Sequence, residues 1–147
     1  MITIDMGVMV DGYASDMTRT VSVGEPTAEL REIYGIVAEA QQTALDAVRP
    51  GRTGVELDGI ARDIITDAGY GEAFGHSLGH GVGTRVHEAP SLSMRSKDTM
   101  REGMVVTIEP GIYLSGWGGV RIEDLAVLEN GRVRVLSRAA KLQAVGA

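Results

Sequence analysis

Apolar residues recur at every second position through Ile2, Ile4, Met6, Val8 and Val10, the period of a strand with one apolar face. Asp11-Gly12 follows as a tight hairpin signal, and Tyr13 to Val23 reads as the returning strand. Glu25-Pro26 breaks it, and the period lengthens. Leu30, Ile33, Tyr34, Val37, Leu45 and Val48 fall on one side of an amphipathic helix over 26–48, which Pro50-Gly51 ends. Thr53-Gly54-Val55-Glu56 has the form of a capping box and opens a second helix over 53–68. Its buried face is Leu57, Ile60, Ala61, Ile64 and Ile65, and Gly69 is its stop. Residues 70–95 are glycine-rich and read as loop plus short strand. Strands are predicted over 104–113 and 120–128, and Asn130-Gly131 turns the chain into a closing strand over 132–136. Strands, then two helices, then strands indicate an α+β architecture rather than alternating βαβ units. No linker or low-complexity stretch divides the chain, so residues 1–147 read as one domain.

Composition changes this picture in three places. Glycine, at 20 of 147 residues, is roughly twice its usual share, and the excess surrounds the histidines. The net charge of −6 comes with no basic run, which argues against nucleic acid and anionic membranes as partners. Cysteine is absent, excluding disulfides and thiolate metal sites. No apolar run approaches the ~20 residues of a membrane span and the N-terminus lacks a signal-peptide pattern, so a cytoplasmic protein is the default expectation.

The candidate chemistry lies in three groups. If the hairpin turns at Asp11-Gly12, Asp5 faces Thr18 and Asp16 faces Gly7. The two aspartates then form a diagonal pair on the face opposite the apolar stripe, about 7–8 Å apart at the backbone and able to converge on one ion. Ordinary solvent-facing carboxylates are the plainer reading of that pair alone. All three histidines, His76, His80 and His87, fall within a dozen glycine-rich residues, a pattern of metal ligation or proton transfer rather than scattered surface imidazoles. Their spacing does not fit a helical His-Glu-x-x-His site, since the glycines disfavour a helix. Glu109 and Glu123 sit in otherwise apolar strands, where a carboxylate needs a partner. Arg121 is one candidate partner, for Glu123 or Asp124; a metal ion is the other.

Ile4-Asp5-Met6-Gly7, Asp11 to Thr20, His76 to Glu88, Ile108-Glu109-Pro110-Gly111-Ile112-Tyr113 and Val120-Arg121-Ile122-Glu123-Asp124 occur here in that order. Together they closely resemble the pita-bread metallopeptidases, the group that contains methionine aminopeptidase, aminopeptidase P and prolidase. The resemblance runs from the first residues to about Leu136. It implies a curved antiparallel sheet with two helices, and Asp5, Asp16, His80, Glu109 and Glu123 as ligands of two divalent ions, Asp16 and Glu123 bridging. Ser15 to Thr20, His76 four residues before His80, and Arg121-Ile122-Glu123-Asp124 resemble the proline-directed branch. The implied reaction is hydrolysis of a short peptide after its N-terminal residue, with proline at the second position. The oxygen-rich ligand set suits Mn²⁺ or Co²⁺ and tolerates Zn²⁺ or Fe²⁺. By the same resemblance His87 stabilises the oxyanion, His76 contacts substrate or shuttles protons, Glu109 takes the nucleophile's proton, and Arg121 organises Glu123.

Members of that group carry a further helical pair and strand before the position of Asp5, and proline-directed members a whole domain before that. Here Met1 stands four residues ahead of Asp5. The expectation is therefore an N-terminally truncated version of the fold, whose Ile2 to Val10 stripe is an exposed patch open to homo-oligomer formation. The alternatives to an active peptidase are a poorly active fragment and a non-catalytic binding module. Five retained ligand residues weigh against the module.

Overall fold

The computed structural model describes residues 1–146. The chain opens with β1 (Ile2–Met6), β2 (Met9–Val10), β3 (Tyr13–Ala14) and β4 (Met17–Val23). Asp11 and Gly12 both have positive φ, 50° and 82°, as a two-residue turn matched to the strand twist requires. The turn fixes the register. Asp5 pairs with Thr18 and Met9 with Ala14, as the Asp11-Gly12 signal predicts. The predicted continuous strand is interrupted between Met6 and Met9, where the Val8 N–H bonds the Ser15 Oγ at 3.1 Å instead of a ladder carbonyl.

Helix α1 (Ala28–Ala47) buries Leu30, Ile33, Tyr34, Val37, Ala40, Gln41, Ala44 and Leu45, a stripe at three- and four-residue spacing. The Thr27 hydroxyl caps it by accepting the Leu30 N–H at 3.1 Å. Helix α2 (Gly54–Asp67) opens on the predicted capping box: Thr53 and Glu56 satisfy each other's backbone N–H groups, a device worth about 1 kcal/mol. Gly69 follows with φ 88° and the helix stops. The helices pack on each other and on one side of the strands, α1 over the later hairpin and α2 over β6.

The remaining strands are β5 (Gly79–Gly81), β6 (Glu88–Leu92), β7 (Val105–Ile108), β8 (Gly111–Leu114), β9 (Gly118–Arg121), β10 (Asp124–Glu129), β11 (Arg132–Val135) and β12 (Ala144–Val145). Five of them form one sheet in the order β11-β10-β7-β5-β6. β1, β4 and β12 form a second, with β12 parallel to β4, and β8-β9 is a separate hairpin. The antiparallel expectation therefore holds except at β12. Both predicted C-terminal strands are divided. Pro110, which has no N–H for a ladder, separates β7 from β8, and Ile122-Glu123 separates β9 from β10. Glu109 and Glu123 thus lie in the breaks, not within strands. Leu57, Ile65, Leu78, Leu92, Ile108, Ile122 and Leu128 form the centre of the core between the helices and the sheet. The Ile2, Ile4, Met6, Val8 and Val10 stripe is exposed, between 44% and 65% for each side chain.

Candidate metal centre

The hairpin, the five-stranded sheet and the two strand breaks bring six titratable side chains to one cleft of about 410 Å³: Asp5, Asp16, His80, His87, Glu109 and Glu123. Their candidate ligand atoms fall into three overlapping sets, each within 4.8 Å: Asp5, Asp16 and Glu123; His80, Glu109 and Glu123; Asp16, His80 and His87. Glu123 belongs to the first two sets. Asp16 is common to the first and third, and its Oδ2 lies 3.8 Å from His80 Nε2.

His80 is aimed by its strand. The pairing of β5 with β6 shifts register between His80 and Gly81, a bulge of the sort that redirects a side chain. Neighbouring backbone passes so close that a Cβ at Gly79 would lie 2.0 Å from the Thr107 carbonyl oxygen, and one at Gly81 2.2 Å from that of Ala89. Only glycine fits on either side of this histidine. The ring Nδ1 donates to the Gly81 carbonyl at 3.1 Å, leaving Nε2 to face Glu109 Oε1 at 3.2 Å. A backbone-anchored Nδ1 with Nε2 turned toward the carboxylates is the usual arrangement of a ligating imidazole.

The electrostatics record crowding of like charge. Burial, then the Glu109 carboxylate, push Glu123 up to about 8, with Asp16 and Asp5 adding to the shift and a hydrogen bond from Thr18 opposing it. Burial and Asp5 also raise Asp16. Burial disfavours ionised Glu109, but hydrogen bonds from His80 and Thr107 outweigh it and hold the group below its ordinary value. His80 answers in kind: burial lowers it, and the bond to Glu109 with the nearby carboxylates raises it overall. Four carboxylates and two imidazoles, converging in overlapping sets, fit divalent cations. A cation would replace the proton that Glu123 otherwise holds.

His87 stands at the exposed side of the cleft, its ring 4.1 Å from that of His80. His76 does not line this cleft. Its ring packs edge-on against Phe74 and Tyr113, Nδ1 is 2.8 Å from the Ser77 carbonyl, and Nε2 is 3.2 Å from the Tyr113 hydroxyl. It connects to the centre indirectly, because the same hydroxyl accepts from Arg121 at 2.9 Å and Arg121 bonds Asp5.

Arg121 contacts neither Glu123 nor Asp124 directly. It reaches Glu123 through Thr18, whose hydroxyl accepts from Arg121 Nε at 3.1 Å and donates to Glu123 Oε2 at 2.6 Å. Asp124 is instead buried with Arg19 at 2.7 Å, Lys141 at 2.8 Å and Gln41 at 3.0 Å. Burial disfavours its charge, yet the bonds from Lys141 and Arg19 dominate and keep its pKa low.

Two threonines outside the candidate ligand set also bond the carboxylates of the cleft. Thr18 is the hairpin partner of Asp5, so its proximity follows from the register alone. Thr107 is two residues before Glu109, the same-face spacing of a strand, and its hydroxyl donates to Glu109 Oε1 at 2.8 Å while accepting the His80 N–H at 3.1 Å.

Known proteins share this sequence and this fold. The model of Metallopeptidase family M24 matches residues 1–130. An Xaa-Pro dipeptidase of Lactobacillus delbrueckii subsp. lactis is 57% identical over 128 residues, 87% of this chain and 35% of that protein. One from Pyrococcus furiosus is 53% identical over 136 residues, 92% of this chain and 39% of that protein. The structure of an Xaa-Pro dipeptidase from Bacillus anthracis superposes with a TM-score of 0.94 at 49% identity, covering 97% of this chain and 41% of the other. The chain thus spans well under half the length of the relatives it matches. A matching family model over most of the chain, close relatives and a shared pita-bread fold lead to one conclusion: this chain belongs to metallopeptidase family M24.

Proposed function

We propose that residues 1–147 form a single catalytic domain of a dinuclear peptidase, which hydrolyses a short peptide after its N-terminal residue when proline follows. The observation that carries this reading is the overlap of the donor sets at Glu123 and Asp16. Asp5, Asp16 and Glu123 would hold one ion, and His80, Glu109, Glu123 and Asp16 the other. The oxygen-rich set favours Mn²⁺ or Co²⁺ over softer ions, with Zn²⁺ or Fe²⁺ tolerated. When bound, such a pair supplies an activated water and a positive field for the scissile carbonyl.

The chain's own groups do the rest. Glu109, already an acceptor from Thr107, is positioned to take the proton that the attacking water releases. His87, free on the exposed side of the cleft, donates to the carbonyl oxygen as charge develops there. Two relatives support the proline preference: those of L. delbrueckii and P. furiosus are Xaa-Pro dipeptidases. Residues 1–147 span 35–39% of those relatives, and the second reading is metal binding by these residues without turnover on their own.

Metal content by plasma mass spectrometry and release of proline from an Xaa-Pro dipeptide, on one sample with and without added Mn²⁺, separate these readings. Two ions per chain with proline release is the expected result. Two ions without release would leave the second reading, and no bound ion would remove both. His87→Ala should lower kcat by about 10²–10³ with metal content intact; loss of metal instead would make it a ligand.

A further inference from the structure

Two side chains of α2, outside the metal cleft, hold the segment that carries His76 and His80. Asp58 is fully buried, and Arg62 one turn later forks onto it, Nε to Oδ2 at 2.8 Å and Nη2 to Oδ1 at 3.1 Å. The pair does not end there. Arg62 Nη1 donates to the Phe74 carbonyl at 2.7 Å and Nη2 to the His76 carbonyl at 2.8 Å, while the guanidinium lies 4.1 Å from the centre of the Phe74 ring. Asp58 Oδ1 also accepts the Leu78 N–H at 3.0 Å. Residues 74, 76 and 78 are therefore fixed by two side chains on one helical face.

The far side of this segment is bonded to the centre. The Leu78 carbonyl accepts the Glu109 N–H at 2.8 Å, and the His80 N–H donates to Thr107, which in turn bonds the Glu109 carboxylate. Phe74 presents its edge to the His76 ring at 5.0 Å. Glycine at 71, 75, 79 and 81 gives this stretch little stiffness of its own, so its conformation must come from outside contacts. An i,i+4 ion pair meant only to support α2 would not need a fully buried carboxylate or three bonds to another segment's backbone.

We propose that Arg62 and Asp58 are positioning residues of the metal centre: they set the backbone from Phe74 to Leu78 so that the His76 ring, His80 and Glu109 stand in register before an ion binds. The role assigned to His80 and Glu109 rests on the dinuclear reading above; the geometry of the histidine arm does not. In the neutral His76 ring that satisfies both contacts, Nδ1 carries the proton toward Ser77 and Nε2 accepts from Tyr113.

The test uses the whole chain as Arg62→Lys, with Asp58→Asn as a milder variant that keeps an acceptor for the Leu78 N–H. Imidazole ¹⁵N shifts of the metal-free protein and Mn²⁺ affinity by titration are measured, with Leu57→Ala as a control that destabilises the same helix. Arg62→Lys is expected to replace the single-tautomer pattern of His76 by averaged shifts and to weaken Mn²⁺ by about 10–100-fold. Asp58→Asn should show a smaller change in the same direction, and the control neither. Native His76 shifts in both variants, or equal changes in the control, would overturn the proposal. If the unaltered chain binds no Mn²⁺, the dinuclear reading fails, and the His76 shifts still decide this one.

Discussion

Arg121 Nη2 donates to Asp5 Oδ2 at 2.5 Å, so the outermost carboxylate of the cleft is held by a guanidinium from the far end of the chain. The same guanidinium reaches Glu123 through the Thr18 hydroxyl and holds the Tyr113 hydroxyl, which leads to His76. Three donors in one rigid plane therefore align groups from β1, β4 and β8. Removing the fork leaves Asp5, already half exposed, free to rotate out of the cleft.

Arg121→Ala is accordingly expected to weaken Mn²⁺ binding by about 10–100-fold, the usual cost of losing a partner of a ligand. Arg121→Lys should recover only part of this, because an ammonium cannot bond Asp5, Thr18 and Tyr113 in one plane. Isothermal titration of both variants checks the order. A lysine variant equal to the unaltered chain would mean that charge alone matters here.

The pH dependence follows from Glu123 and His80. Glu123 is pushed up to about 8 by burial and by Glu109, so between roughly pH 4.3, its unfolded value, and 8 the metal-free fold holds a proton that the unfolded chain has released. Stability therefore falls as pH rises through that window. His80, raised by Glu109 against the effect of burial, contributes stability below about pH 6.5 that is lost as pH rises through its folded value. Both act in one direction. With a chelator present, Tm should decrease from pH 5.5 to 8.5, and the increase in Tm caused by Mn²⁺ should grow over the same range. Thermal melts at four pH values suffice, and a flat metal-free profile would contradict the assignment.

The hairpin was legible because its two determinants are local: a period-two stripe and an Asp-Gly turn with both φ values positive. The capping box and the helical stripes were legible for the same reason. The breaks at Glu109 and Glu123 were not, since Val106, Ile108, Ile112 and Leu114 keep one apolar period through the first, marked only by Pro110, and Val120, Ile122, Ala126 and Leu128 keep it through the second, marked only by Asp124. Asp58 and Arg62 resemble any solvated i,i+4 pair until the Phe74 to Leu78 backbone is laid over them. Arg19 with Lys141, 122 positions apart and joined at Asp124, leaves no local trace at all.

Gly79 and Gly81 give a sharper test of how His80 is aimed. An alanine at Gly79 places its Cβ 2.0 Å from the Thr107 carbonyl oxygen, and β5 has no room to retreat between β6 and β7. Overpacking of this kind costs about 1–3 kcal/mol. Gly79→Ala should lower stability by that amount and displace His80, with Mn²⁺ affinity falling in parallel. Gly75→Ala, where a Cβ meets nothing within 4 Å, should do neither. Denaturant melts with metal titrations on the two variants make the comparison.

The apolar stripe on β1 and β2 predicts self-association. Ile2, Ile4, Met6, Val8 and Val10 are each 44% exposed or more, and β1 is the edge of its sheet, with backbone groups on its outer side available to another strand. Met6 and Val8 border the metal cleft but Ile4 and Val10 do not, so charges at these two positions need not disturb the metal centre. Light scattering across a protein concentration series should show a mass rising above one chain. Ile4→Lys together with Val10→Lys, which set like charges along the edge, should return it to one chain while Mn²⁺ affinity stays within about twofold. A single-chain mass for the unaltered protein at every concentration would show that this edge is tolerated in water as it stands.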